Sequence, residues 1–387
     1  MHTPNRRQAA TSVLALGVVA AAGLLAGCDN APSVIKIGVA QPMSGNLAAL
    51  GQDMHNGVKL AVEEINKSGF KIKGKPVTIE IVAVDDRANA ATGKEAAQQL
   101  VDAGVVAVIG HLNSGVSIDT APIYAAKNIA QLAISTNPKY TQLNLPTTFR
   151  LVANDTLQAK AIGSFAANQL NASKFAVLDD GTPYGKGLAD GAAAELTKAK
   201  KDIALRQSFD DKTTAFDELA AKLKEGGVDA IVSTLNDFQV LALIEALKKV
   251  DYTKLALLGG DTIKTTAMLK GAGQLQGGLF ATSPILEPRE FPAGAKFLES
   301  YRAAFKVDPA YGGHYSYDAM HVLAGAIKRA ESAKPQAITE ALRSIDGYAP
   351  VTGSMKFDAK GEQRYGVISV YATRGGLWES QIRSDAW

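Results

Sequence analysis

The sequence predicts an α/β protein built as two doubly wound parallel-sheet lobes in series. Three observations predict it. Short β-rich runs alternate with amphipathic stretches, the alternation starts afresh near Asn154-Asp155, and the last third of the chain breaks the pattern. The β-rich runs cover 34–40, 77–84, 105–109, 131–135, 175–179, 203–209, 230–234 and 255–258. Each is mostly apolar and bounded by Gly, Asp, Asn or Pro, as expected of a strand buried on both faces.

The amphipathic stretches read as helices. In the first, Met54, Val58, Ala61, Val62 and Ile65 fall on one face, while Lys59, Glu63, Glu64 and Lys67 cover the other. That spacing is a helical stripe. Further helices are predicted over 91–103, 156–170, 186–199, 215–225 and 239–250. Strand-helix alternation implies parallel strands with helices on both sheet faces. In the C-terminal third, 297–305 and 320–330 read as helices. Residues 355–361 read as a strand entering a turn and 367–373 as the returning strand, so a late hairpin is expected. No 20–50-residue repeat is present.

The N-terminus reads as an export signal. Arg6 and Arg7 precede an apolar run over 12–27 that is too short for a comfortable bilayer span. The run ends in Leu25-Ala26-Gly27-Cys28, which carries the only cysteine of the chain and is similar to a bacterial lipobox. Cleavage there makes 1–27 a signal peptide, Cys28 a diacylated N-terminus and 28–33 a tether. Two acyl chains suffice for stable anchoring. Arg6-Arg7 suits either a general or a twin-arginine export route. No thiol would then remain for a disulfide or redox site.

Removing 1–27 lowers the formal charge from +3 to +1, which argues against a nucleic-acid partner. The five histidines have no zinc-protease spacing, so no metal site is expected. Nucleophile-elbow and phosphate-loop motifs are missing. The nearest cofactor signal, Gly185-Lys186-Gly187 with Gly191, is a poor dinucleotide fingerprint and is better explained by turns and helix packing. No catalytic residue and no cofactor is expected.

Binding chemistry gathers instead at predicted strand ends. Gly110-His111-Leu112-Asn113-Ser114 ends a strand and opens a helix, where amide groups and the Ser114 hydroxyl suit a carboxylate. Ser114 reads equally well as a helix cap. Ser135-Thr136-Asn137 ends the next strand and should lie beside it, at the sheet edge where ligands of open α/β sheets bind. In the second half, Tyr184 follows a strand and has a ring to stack or a hydroxyl to donate, or is a turn aromatic. Asp261, after Gly259-Gly260, is placed to accept from an ammonium group or to cap the following segment. Asn236 and Asp237 end another strand, with capping the better role for Asp237. Leu112, Phe238 and Leu50 suggest an apolar subsite.

These residues carry a resemblance. From Ile35 onward the chain is similar to the periplasmic leucine/isoleucine/valine-binding proteins, the type I substrate-binding components of ABC importers. The landmarks run in family order: Ile35–Ala40 with Met43-Ser44-Gly45, Gly57, Asp85-Asp86, Gly110–Ser114, Thr136–Thr141, Phe149-Arg150, Tyr184–Gly187, Gly259-Gly260-Asp261 and Gly353–Gly361. The resemblance implies a three-segment hinge, with crossings near Asn154, near 283–286 and near 350–353. Lobe one would be 34–154 with 286–350, and lobe two 155–285 with 351–387. An amino acid would sit in the cleft, its carboxylate and ammonium on Ser114 and Thr136, with Tyr184 and Asp261 closing from the second lobe. Partners would be that small ligand, ABC permease subunits and, through Cys28, a membrane on its periplasmic or extracellular face.

Three departures touch the side-chain end of the cleft. The Ile134-Ser135-Thr136 loop is one residue short, Thr262 replaces a Gly, and 237–242 lacks a Gly. The function expected is capture of a branched-chain or related aliphatic amino acid for an ABC permease. The alternative is a ligand sensor of the same fold that signals to a receptor.

Overall fold

The computed structural model describes residues 32–384 and has two α/β lobes. In the first, β1 (Val34–Gln41) leads to α1 (Ala48–Lys67) and a small ribbon of β2 (Lys71–Ile72) and β3 (Lys75–Pro76). There follow β4 (Thr78–Asp85), α2 (Ala90–Asp102), β5 (Ala107–Gly110), α3 (Ser114–Ala125), β6 (Ala130–Ala133), α4 (Lys139–Gln142) and β7 (Thr148–Arg150). The sheet is parallel throughout, in the order β4-β1-β5-β6-β7. The expected apolar face of α1 is buried from Met54 to Ile65.

The second lobe begins with α5 (Asp155–Asn168) and continues through β8 (Lys174–Asp179), α6 (Pro183–Lys198), β9 (Asp202–Ser208), α7 (Asp217–Glu225), β10 (Ala230–Ser233), α8 (Asp237–Lys249) and β11 (Ala256–Gly259). A short α9 (Thr266–Gly271) precedes β12 (Leu279–Ser283). Strands β8, β10 and β11 are buried on both faces, whereas β9, at the sheet edge, is not, contrary to the expectation for 203–209. Phe175, Val177, Val232 and Leu258 join the core under α5 and α6, while their chain neighbours Leu178, Ile231 and Leu257 join the core under α7 and α8. The period of two places alternate residues on opposite sides of the sheet.

The chain then returns to the first lobe as α10 (Gly294–Phe305), α11 (Gly313–Ala330) and α12 (Pro335–Ser344). Met320, Leu323 and Ile327 share one core with Ile37, Val58 and Leu132. Helices α1 and α11 approach closely because Gly57 faces the Gly313 carbonyl, where a Cβ would lie 1.9 Å from the oxygen. Among the described residues, no helix is long and apolar enough to cross a membrane.

The C-terminal third corrects two expectations. β13 (Asp346–Ala349) pairs with β14 (Gly353–Lys356), and β15 (Ser369–Arg374) pairs with β12 and β16 (Leu377–Arg383), all antiparallel. The strands at 355–361 and 367–373 therefore do not form a hairpin with each other. The turn between them is real, but it closes only a single bridge, Phe357 to Gln363. Val351, Met355 and Phe357 are buried in the first core, so the third crossing falls after them, not at 350–353. Strand β7, the last parallel strand β12 and the pair of β13 with β14 are further elements that the run-by-run pattern left out, being short or lacking a flanking amphipathic helix.

Candidate functional site

A cavity of about 670 Å³ lies between the lobes, at the carboxyl ends of both sheets. Leu112, Ser114, Thr136, Tyr184, Asn236 and Asp261 all line it. Each lies in the loop or first helical turn that follows a strand, where the sequence marks it by Gly, Asp, Asn or Pro.

The first lobe presents an electropositive end. α3 opens at Ser114, and its cap residue Asn113 makes no side-chain capping bond. The first-turn amides are thus left without an intrahelical acceptor, and together with the helix dipole they favour an anion. The Ser114 hydroxyl accepts from the Asn137 amide at 3.3 Å, joining the two strand-end loops. Behind the second loop lies Arg150, fully buried. Its Nη1 donates to the Ser135 carbonyl and its Nη2 to the Asn137 carbonyl at 3.0 Å. Glu362 closes the set, accepting from Arg150 Nε at 2.9 Å and Nη2 at 3.1 Å. Gly361, at φ +89°, packs against the Thr148 carbonyl and turns the chain so that Glu362 reaches inward.

Ser135 is the exception among the expected site residues. Its hydroxyl bonds Ser117 at 2.5 Å and faces the protein interior, and it does not line the cavity. Successive side chains on extended backbone point to opposite sides, so Ser135 and Thr136 cannot both face the cleft.

The second lobe presents a carboxylate. Asp261 opens a short 3₁₀ turn, Asp261–Ile263, and its buried side chain is directed to the cleft, not to the turn's amides. Oδ1 accepts from Gln158 Nε2 and from the Tyr184 hydroxyl, each at 2.9 Å, and Oδ2 accepts from the Tyr311 hydroxyl at 2.5 Å. All three donors are neutral. Burial, and then the charge of Asp261, push both phenols well above the usual tyrosine range, so they stay protonated donors. A buried carboxylate served only by neutral donors, open to a cavity, is a counter-charge for a cation. Gly260 permits the contact, since a Cβ there would lie 2.3 Å from the Tyr184 oxygen.

Tyr184 is buried in the first turn of α6, where Thr182 caps the Gly185 amide at 3.0 Å. Asn236 lines the cavity with its amide already engaged, donating to Asp180 at 3.1 Å. Burial pushes the Asp180 carboxyl up to about 6. The capping role expected of Asp237 belongs to Asn236, whose amide N–H donates to the Gln239 side chain at 3.1 Å. Asp237 also takes a first-turn amide, accepting from the Phe238 N–H at 2.7 Å, and its other oxygen accepts from the Thr265 hydroxyl at 2.8 Å. Leu50, Leu112 and Phe238 form an apolar wall.

Tyr311, Gln158 and Asp155 were not among the expected site residues. Tyr311 comes from the loop before α11, and Asp53 of α1 anchors that loop by accepting from the Tyr311 and Gly313 amides at 2.9 and 2.8 Å. The lobes touch across the cleft: Asn137 Nδ2 donates to the Pro183 carbonyl at 2.6 Å. Cys28 and the signal segment lie outside the described residues.

A two-lobed α/β fold with this cleft defines a periplasmic binding protein, and the family model of that description matches residues 34–375. The chain belongs to this family, among its type I Leu/Ile/Val-binding members. It is 32% identical over 344 residues to Leu/Ile/Val-binding protein homolog 2 of Brucella abortus, covering 88% of this chain and 91% of the relative. Among solved structures, it is similar to a leucine-binding protein of Thermotoga maritima, with TM-score 0.80, 25% identity and coverage of 90% and 98%. A branched-chain amino acid transporter substrate-binding protein of Streptococcus pneumoniae, solved with isoleucine, matches with TM-score 0.78, 26% identity and coverage of 90% and 98%.

Proposed function

We propose that this protein captures a branched-chain or related aliphatic amino acid in the interlobe cleft and delivers it to an ABC permease. The observation that carries the reading is the charge arrangement of one cavity. Uncapped helix amides with Ser114 and Thr136 stand on one wall, and the Asp261 carboxylate with its neutral donors stands on the other. That pair complements a zwitterion, whose two charges would each be costly to bury unpaired. Leu50, Leu112 and Phe238 supply an apolar subsite for an aliphatic side chain. The names of the relatives support the same ligand class.

Capture proceeds by closure of the lobes, with ligand stabilising the closed state through its extra contacts there. Cys28 tethers the protein to the membrane on its extracytoplasmic side, which keeps the cleft near the permease. A thermal-shift screen of the twenty amino acids tests the reading. Leucine, isoleucine or valine at a hundred times Kd should raise Tm by several degrees. No shift with any amino acid would contradict it. For the tether, Cys28→Ser should move the protein from the membrane to the soluble fraction, and retention in the membrane would contradict it.

A further inference from the structure

Beside Asp261, but off the lining of the cavity, is a second carboxylate. Asp155 is the first residue of α5 and is buried, with its amide donating to the Thr136 carbonyl at 2.9 Å. Neither of its carboxylate oxygens has a hydrogen-bond partner, and the Thr136 hydroxyl approaches it without regular hydrogen-bond geometry. One turn further along the same helix face, Gln158 donates to Asp261. Asp155 and Asp261 are therefore neighbours, and the charge of Asp261 acts on Asp155.

The groups facing Asp155 do not supply a second positive charge at close range. Asp261 comes from the end of β11, Tyr184 from α6 and Tyr311 from the loop before α11, and none is a cation. Arg150, at the end of β7, is the one cation felt there, and its guanidinium already bonds Glu362 and the Ser135 and Asn137 carbonyls. Two adjacent buried carboxylates with so little compensation do not both ionise readily. Asp155, Gln158, Tyr184 and Asp261 all belong to the second lobe, so the pair persists when the lobes part. Tyr311 joins it only on closure, since its ring packs in the first core.

We infer that Asp155, buried beside Asp261, holds a proton in the ligand-free protein and releases it to solvent when a ligand ammonium enters the cleft. The incoming cation offsets the charge of Asp261 and so lets Asp155 ionise. Burial and the charge of Asp261 both push the Asp155 carboxyl well above the usual carboxylate range, in keeping with a retained proton. Ligand capture is then coupled to pH: affinity rises with pH through the titration of Asp155, by up to about tenfold per unit for one proton released. This inference rests on the amino-acid reading of the cleft.

Titration calorimetry of the whole protein with L-leucine, in buffers of different ionisation enthalpy between pH 5 and 8, tests it. The expected result is a binding heat that varies with buffer, reporting up to one proton released per leucine, and an affinity that rises with pH. Leucine binding with the same heat in every buffer and the same affinity at every pH would overturn the proton coupling while leaving the amino-acid reading intact. No binding of leucine or any other amino acid would remove both. Asp155→Asn should abolish the release, and a release that survives in this variant would overturn the assignment to Asp155. If that variant does not fold, difference infrared spectroscopy of the wild type decides. A protonated-carboxyl band should vanish on leucine addition, and an unchanged band would count against the proton.

Discussion

The two walls of the cleft solve opposite electrostatic problems with different materials. The first lobe offers an anion backbone amides and hydroxyls, and it keeps its charged group, Arg150, behind the wall and paired with Glu362. The second lobe offers a cation one side-chain carboxylate, Asp261, supported only by neutral donors. Amides at a helix end are fixed by the fold and spread the interaction over several groups. A lone carboxylate concentrates it in one residue. The first wall should therefore tolerate single substitutions that the second does not.

The largest effect is expected at the concentrated end. Asp261→Ala strands the ligand ammonium and should cost about 2–5 kcal/mol, a loss of at least tens-fold in leucine affinity by calorimetry. An affinity within a factor of two of wild type would show that the second wall is not the cationic subsite.

The next prediction concerns the hinge that joins the walls. His314 is fully buried and donates from Nε2 to the carbonyl of Leu286 at the second crossing, at 2.9 Å. Burial, aided by the charge of Lys264, lowers its pKa from 6.5 to about 4. The unfolded chain then binds the proton more readily, so this stability is present above pH 6.5 and is lost as pH falls through 4. The loss amounts to about 3 kcal/mol. In urea melts, the stability advantage of the wild type over His314→Gln should shrink by about that amount between pH 7 and pH 4. A difference independent of pH would contradict a neutral, buried imidazole.

Smaller effects are expected at the distributed end. Ser114→Ala removes one hydroxyl from a wall with several donors and should weaken leucine binding by about 1 kcal/mol, roughly fivefold. A loss as large as that of Asp261→Ala would erase the contrast between the walls. Smallest of all, Gly187→Ala places a Cβ 2.7 Å from Asn137 Nδ2, whose bond to Pro183 joins the lobes. The amide end of Asn137 can shift, so affinity should fall by a few-fold with Tm of the free protein unchanged. A lowered Tm without ligand would mean that the contact supports the fold, not closure.

Much of this arrangement was legible in the chain. The strand ends were marked by Gly, Asp and Asn after apolar runs, so Ser114, Thr136, Tyr184 and Asp261 stood out before any packing was known. Ser135 and Thr136 stand as a polar pair at a strand end, but extended backbone sends its members to opposite sides, so only Thr136 reaches the cleft. Tyr311 was illegible for a different reason: it lies in an irregular loop and reaches the site only through the return of α11 to the first lobe. Gln158 and Asp155 sit one turn apart at the start of the helix expected over 156–170, but a polar first turn does not show which neighbours it will face. The late hairpin failed because local turn chemistry around Asp358 and Gly361 does not reveal that the chain changes lobes a few residues on.

The central claim is that one cleft reads both charges of an amino acid, one on each wall. Thermal-shift titration with L-leucine, leucinamide and 4-methylpentanoate tests it most directly, because the two analogues each lack one of those charges. The account predicts a shift of several degrees with leucine and none with either analogue at the same concentration. Equal shifts with leucine and with either analogue would contradict it.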